Sequence, residues 1–203
     1  MSTAIITVNV AACGRAYVID SAWATARNAA SGTFSASFLN VFATLTTQYE
    51  IDRGFLRFNT SAIIGAVTLA ELYLTRSSQN DTPANVHVSL CDFVAGLNGA
   101  DYAAVKAGYT GNPIGVMSRV SGNLWKRDIT AVFAKDATFD LGLAEYNHDM
   151  LNVAPAVPYG TQFIVSGAGA PYLQLTTVTD INVPTVPSIP TVPTLRRGRR
   201  ANL

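Results

Sequence analysis

Apolar and polar positions alternate through most of this chain, and the alternation has a period of two rather than a helical period. "AIITVNV" (4–10) and "RAYVID" (15–20) come first. In "TFSASF" (33–38), Phe34, Ala36 and Phe38 alternate with small neighbours. "QYEIDRGFLRFN" (48–59) follows, and then "VTLAELYLT" (67–75). The latter puts Val67, Leu69, Glu71, Tyr73 and Thr75 on one face and Thr68, Ala70, Leu72 and Leu74 on the other. "VHVSLCDF" (86–93), "GVMSRV" (115–120), "TFDLGLAEY" (138–146), "TQFIVSG" (161–167) and "YLQLTTV" (172–178) continue the pattern. Such runs predict half-buried strands. Turn-forming clusters such as Ala-Ser-Gly (30–32) and Ser-Gly-Asn (121–123) separate them. Many short strands with regular punctuation predict an all-β sandwich. Only "GADYAAVKAG" (99–108) has the propensity of a short helix, and "RDITAVFAKD" (127–136) reads as a helical turn after Asp128 or another strand. No βαβ alternation appears, which excludes a parallel α/β sheet.

The pattern changes at the C-terminus. Residues 1–180 read as one sandwich domain and 181–203 as an extended arm. Val183-Pro184-Thr185, Val186-Pro187-Ser188, Ile189-Pro190-Thr191 and Val192-Pro193-Thr194 repeat one triplet. Proline at every third position fixes φ and removes a donor each time, which excludes helix and central strand. A period of three matches the polyproline II turn. At about 3.1 Å per residue the repeat would span roughly 37 Å. Val183, Val186, Ile189 and Val192 then form one apolar edge, and Pro184, Pro187, Pro190 and Pro193 another. Arg196, Arg197, Arg199 and Arg200 tip the arm. The expected role is attachment: the prolines lower the ordering cost, and the arginines pair with carboxylates on a protein partner, phosphate being the weaker target.

Charge supports the division. Only 13% of residues are charged, about half the usual globular share. The segment from Asp180 holds four of the 14 basic residues and one of the 13 acidic ones, which leaves ten basic against twelve acidic in the body. The body therefore offers no basic face for nucleic acid. Its sparse charge predicts contacts between copies and a homo-oligomer. No run approaches the ~18 apolar residues of a membrane helix. The N-terminus lacks the pattern of a signal peptide, so synthesis and assembly inside a cell are expected.

Candidate chemistry is thin. Cys13 and Cys91 are expected to be buried reduced thiols. The only histidines are His87 and His148, and no metal or cofactor is expected. Glu50 and Asp52 share one strand face near Arg53 or Arg57 and read as a solvated charge ladder. Glu145, His148 and Asp149 read as a polar loop with no nucleophile placed beside them. No enzymatic activity is expected. Tyr102, Tyr109, Trp125, Tyr146 and Tyr159 are the aromatic side chains that could stack on a sugar ring.

The stretch "YEIDRGFLRFNTSAIIGAVTLAELYL" (49–74) resembles the signature of DNRLRE-type β-sandwich domains, which are grouped with carbohydrate-binding modules. In these an arginine opens a strand, a Thr/Ser-rich loop follows, and a second strand reads Ala-x-Leu-x-Leu-Tyr. Arg53, Phe55, Leu56, Phe58, Asn59, Ser61, Ile63, Ala70, Leu72 and Tyr73 stand in those places. The resemblance implies a jelly roll and two settings. One is a structural protein of a tailed bacteriophage particle, a capsid decoration or head-fibre protein bound to other virion proteins. The other is a carbohydrate-binding or adhesion module that takes surface glycans.

Overall fold

The computed structural model describes residues 2–77, 85–93 and 96–179. Thirteen strands, β1 (Ser2–Asn9), β2 (Ala12–Asp20), β3 (Thr33–Ser35), β4 (Leu39–Leu45), β5 (Tyr49–Phe58), β6 (Ala66–Thr75), β7 (Val86–Leu90), β8 (Pro113–Val116), β9 (Ser118–Ser121), β10 (Leu124–Asp128), β11 (Phe139–Glu145), β12 (Tyr159–Phe163) and β13 (Tyr172–Thr179), dominate the described residues. Two α-helices, α1 (Trp23–Asn28) and α2 (Asp101–Gly111), and a π-helical turn (Tyr146–Met150) join them. Every strand pairing is antiparallel. One sheet runs β1-β13-β6-β10-β9, and the larger runs β12-β4-β5-β11-β7-β8, with β2 and β3 added beside β5. Setting β1-β13-β6-β10 against β5-β11-β7-β8 makes the chain change sheets at each step of β5–β6–β7 and β10–β11. That winding is a jelly roll, and the molecule is an all-β sandwich.

The alternation read from the sequence decides what each sheet buries. On β6, Ala70, Leu72 and Leu74 enter the space between the sheets, where they meet Leu56, Phe58 and Leu141. A fully buried Leu or Phe there contributes roughly 1.5–3 kcal/mol. Odd positions of β5 face the other way. Ile51 and Phe55 pack with Phe93, Tyr102 and Tyr109 in a second core, between the larger sheet and α2. This explains why β7 is buried at Val86, His87, Val88 and Ser89 alike: α2 packs on β7 and β11. A strand covered on both faces has no solvent-facing side, so its polar residues are buried with the rest.

The larger sheet forks at β5. β2 pairs along one edge of β5 from Tyr49 to Arg57. The opposite edge is shared, with β4 on Tyr49–Asp52 and β11 on Gly54–Phe58, so Arg53 stands at the division. The strand β12 leaves with β4 and reaches the other sheet. Ser77 donates its N–H to the Gln162 carbonyl at 2.8 Å, and Ile164 donates to Thr75 at 2.9 Å. One side of the sandwich is thereby closed. Gly160 is required here, because a Cβ would lie 1.4 Å from the Phe42 ring.

Several expectations are corrected. α1 adds a second helix where one was expected. It is six residues long with no side-chain cap, so it has no signature of its own and is held by Ala26 in the second core. The run 33–38 is a strand only over Thr33–Ser35, and β4 has no counterpart among the strands predicted from the alternation. The run 115–120 is two strands in opposite sheets, broken at the buried Met117. After Asp128 the chain makes a 3₁₀ turn (Thr130–Val132), and Thr130 N–H donates to the Asp128 carboxylate. Cys13 and Cys91 are free thiols, each only partly buried. Val183, Pro184, Val186, Pro187, Ile189, Pro190, Val192, Pro193, Arg196, Arg197, Arg199 and Arg200 lie outside the described residues.

Candidate functional site

Two charged clusters lie back to back on β5, one on each face, because successive side chains of a strand point to opposite sides. The odd face carries Arg53. Its side chain is fully buried, yet all of its donor nitrogens are used. Nε and Nη2 donate to the two Asp149 carboxylate oxygens at 2.8 and 2.7 Å. Nη1 donates to the Tyr102 carbonyl at 2.9 Å, and Nη2 also reaches the Arg27 carbonyl at 2.9 Å. The guanidinium lies 4.0 Å from the Tyr102 ring centroid. Burial disfavours its charge, but Asp149 more than offsets this and raises its pKa. One side chain thus ties α1, α2 and the π-helical turn to the sheet. Asp149 in turn accepts from the Tyr109 hydroxyl at 3.1 Å. Farther along the same face Arg57 grips both oxygens of Asp140 at 2.7 and 2.6 Å and donates to the Phe93 carbonyl.

The even face carries Asp52, and here the solvated charge ladder is overturned. Asp52 is fully buried. Its partner is Arg15, in direct contact, and Arg15 also approaches Glu50 at 3.5 Å. Neither Arg53 nor Arg57 can serve, because both lie on the opposite face. Burial is the largest influence on Asp52 and outweighs the attraction of Arg15, pushing its carboxyl up to about 7. Asn40, buried on β4, lies on the strand beside it. Asp52 Oδ1, Asn40 Oδ1 and Arg15 Nε have no hydrogen-bond partner among the described residues. The Arg15 guanidinium lies 4.4 Å from the Tyr17 ring centroid and 5.6 Å from that of Phe38. Phe38 is exposed. Arg15, held by the buried Asp52, is partly open beside two aromatic rings, an arrangement that can hydrogen-bond a hydroxyl group and stack an apolar face.

Glu145, His148 and Asp149 are not a polar loop. Glu145 ends β11, and all three are buried. The Glu145 carboxylate accepts the backbone N–H groups of Asn147 and His148 at 3.2 and 2.6 Å and lies 3.0 Å from His148 Nδ1. It caps the π-helical turn that presents Asp149 to Arg53. The group is therefore structural.

The aromatic candidates are redistributed as well. Tyr102 and Tyr109 are in the second core and Trp125 is in the first. Tyr146 stacks on His87 and Tyr159 on His148, with centroids 6.1 and 4.2 Å apart. None of these five offers an open ring like that of Phe38.

The signature residues have local reasons. Arg53 lies in the middle of β5 rather than opening a strand. Phe55 faces the second core, and Leu56, Phe58, Ala70 and Leu72 the first. The Asn59 side chain accepts from Ser61 N–H at 3.2 Å and Ser61 Oγ at 2.8 Å, which makes the polar corner. Ile63 is half-buried against the first core. Tyr73 stacks on Tyr172 on the outer face, with centroids 5.0 Å apart. Nothing in the local pattern marks Arg15, Asn40 and Phe38 as members of a site. The β2–β5 register, with Arg15 opposite Gly54 and Tyr17 opposite Asp52, and the β4–β5 register, with Phe42 opposite Asp52, bring them together. No family model matches this chain, and no curated protein matches it.

Proposed function

We propose that this chain is a non-enzymatic structural protein of a tailed bacteriophage particle, a capsid decoration or head-fibre protein. It assembles in the host cytoplasm and attaches to other virion proteins through residues 181–203. Membership of the DNRLRE-type domains is part of this proposal. The observation that carries it is how the body uses its charges. Arg53, Arg57, Asp140, Glu145 and Asp149 are spent on ties between elements. The densest run of charge is then Arg196, Arg197, Arg199 and Arg200. Jelly rolls recur in capsid proteins, which supports the reading by analogy of fold. Deleting residues 181–203 is expected to leave the melting temperature unchanged and abolish attachment to particles. Replacing the four arginines is expected to weaken attachment and its salt dependence. Normal occupancy by the truncated chain would move the contact to the sandwich and end this reading.

A second reading, a glycan-binding module, is favoured by the Arg15–Asp52–Asn40 cluster with Tyr17 and Phe38. Tyr17 also borders a groove of about 470 Å³ with Ile19 and Ser31, within the usual size of ligand sites. On a glycan array, retention of a sugar by the wild type and its loss in Phe38→Ala would support this module. A blank array would leave the first reading alone.

A further inference from the structure

We propose that the free edge of β1 is a pairing surface for a second copy of this chain. Among the described residues β1 is an edge strand and pairs with β13 alone. Its eight residues, "STAIITVN", contain no charge, proline or glycine. Exposed edges in natural proteins are usually kept short, charged, bulged or covered, because their unpaired backbone groups recruit other strands. The remaining edges among the described residues follow that rule. β9 has four residues with Arg119 among them, β8 has four with Pro113 and Gly115, and β3 has three. β12 is tied across to Arg76. β1 is the unguarded one.

The hydrogen-bond phase shows which groups it presents. Val10 N–H donates to the Pro171 carbonyl at 3.0 Å, one step beyond the pair Asn9–Tyr172. Bonded and non-bonded pairs alternate in an antiparallel ladder. The even residues of β1 therefore bond to β13, while Thr3, Ile5 and Thr7 turn N–H and C=O outward. The side chains of these three are exposed, and Ile5 is 68% exposed.

The occupant is argued from the same strand. The segment after β13 cannot form the ladder, since Pro184, Pro187, Pro190 and Pro193 occupy both odd and even positions and lack the N–H on either phase. A second β1 fits by symmetry. With a two-fold axis at Ile5, Ile5 faces its own counterpart and Thr3 faces Thr7 of the other copy. All of these positions are in the outward-bonding phase, and no like charges meet. The two five-stranded sheets become one continuous sheet. This inference rests on the strand alone, so attachment through the C-terminal segment can fail while the pairing holds.

The test is sedimentation velocity of the full chain from about 1 to 300 μM, with amide hydrogen exchange at both ends of that range. The wild type is expected to dimerise with concentration, and the amides of Thr3, Ile5 and Thr7 to become protected as it does. Ile5→Pro removes an outward N–H and no bond to β13. Losing one such bond from each copy is expected to weaken the dimer by about 10- to 100-fold. Ile5→Lys, at an exposed position that cannot unfold the core, is expected to weaken it as well and decides the matter if the proline variant is unstable. A chain monomeric throughout, a dimer of unchanged affinity in folded Ile5→Lys, or unprotected Thr3, Ile5 and Thr7 amides in a predominantly dimeric sample would each overturn the proposal.

Discussion

Arg53→Ala is expected to cost about 3–5 kcal/mol and to lower the melting temperature by roughly 10–15 °C, the scale for breaking a buried ion pair in a domain of this size. The loss has three parts. Asp149 would remain fully buried without the two donors that satisfy it. The Tyr102 and Arg27 carbonyls would lose theirs. A cavity would open between the sheet, α1 and α2. Arg53→Lys is expected to recover little, because one ammonium cannot reproduce the planar fork that reaches three elements. Asp149→Asn keeps the shape and removes the charge, and should fall between wild type and alanine. Calorimetry on these variants, with the double variant Arg53→Met/Asp149→Leu, separates the pair from its surroundings. The double variant should be more stable than the sum of two single losses predicts, since neither Arg53 nor Asp149 is left buried without the other. A cost below about 1 kcal/mol for Arg53→Ala would show that the cluster is dispensable.

Between about pH 4 and pH 7, Asp52 and His87 are expected to pull stability in opposite directions. Asp52 titrates near 7 in the folded chain because of its burial and near 3.9 when unfolded. Across that window the folded state holds the extra proton, so this contribution is full at low pH and is lost as pH rises through about 7. His87 has the opposite sign. Burial first, and the Arg127 charge second, lower its pKa to about 4, against about 6.5 unfolded. Here the unfolded state holds the extra proton, so stability is gained as pH rises to about 6.5. The wild type should therefore show a shallow profile of urea midpoint against pH. Asp52→Asn should show stability rising with pH across the window, and His87→Gln should show it falling. An Asp52→Asn profile parallel to the wild type would mean that Arg15 holds Asp52 in the ordinary carboxylate range.

Local pattern suffices for the elements whose two sides meet different surroundings. Alternation in 67–75 gives both faces of β6 from Leu69 onward, and the core residues Leu56, Phe58, Ala70 and Leu72 follow from period two; at the start of the strand a register shift opposite Thr176–Thr177 turns Val67 to the core and leaves Thr68 exposed. A sheet with one face on a core and one in solvent writes that difference into every second residue. Helix propensity marks α2, and turn-forming residues mark the corner at Asn59. Local pattern could not find α1, which is too short for a helical period and is held by packing alone. Nor could it find β4, which leaves its sheet partway along. Tertiary structure decided the charges. Asp52 and Arg53 are neighbours in sequence, yet one meets Arg15 across β2 and the other meets Asp149 from ninety-six residues away. Which charge finds which depends on register and on the fork in β5. Those are set by contacts distant in the chain, and local pattern carries no trace of them.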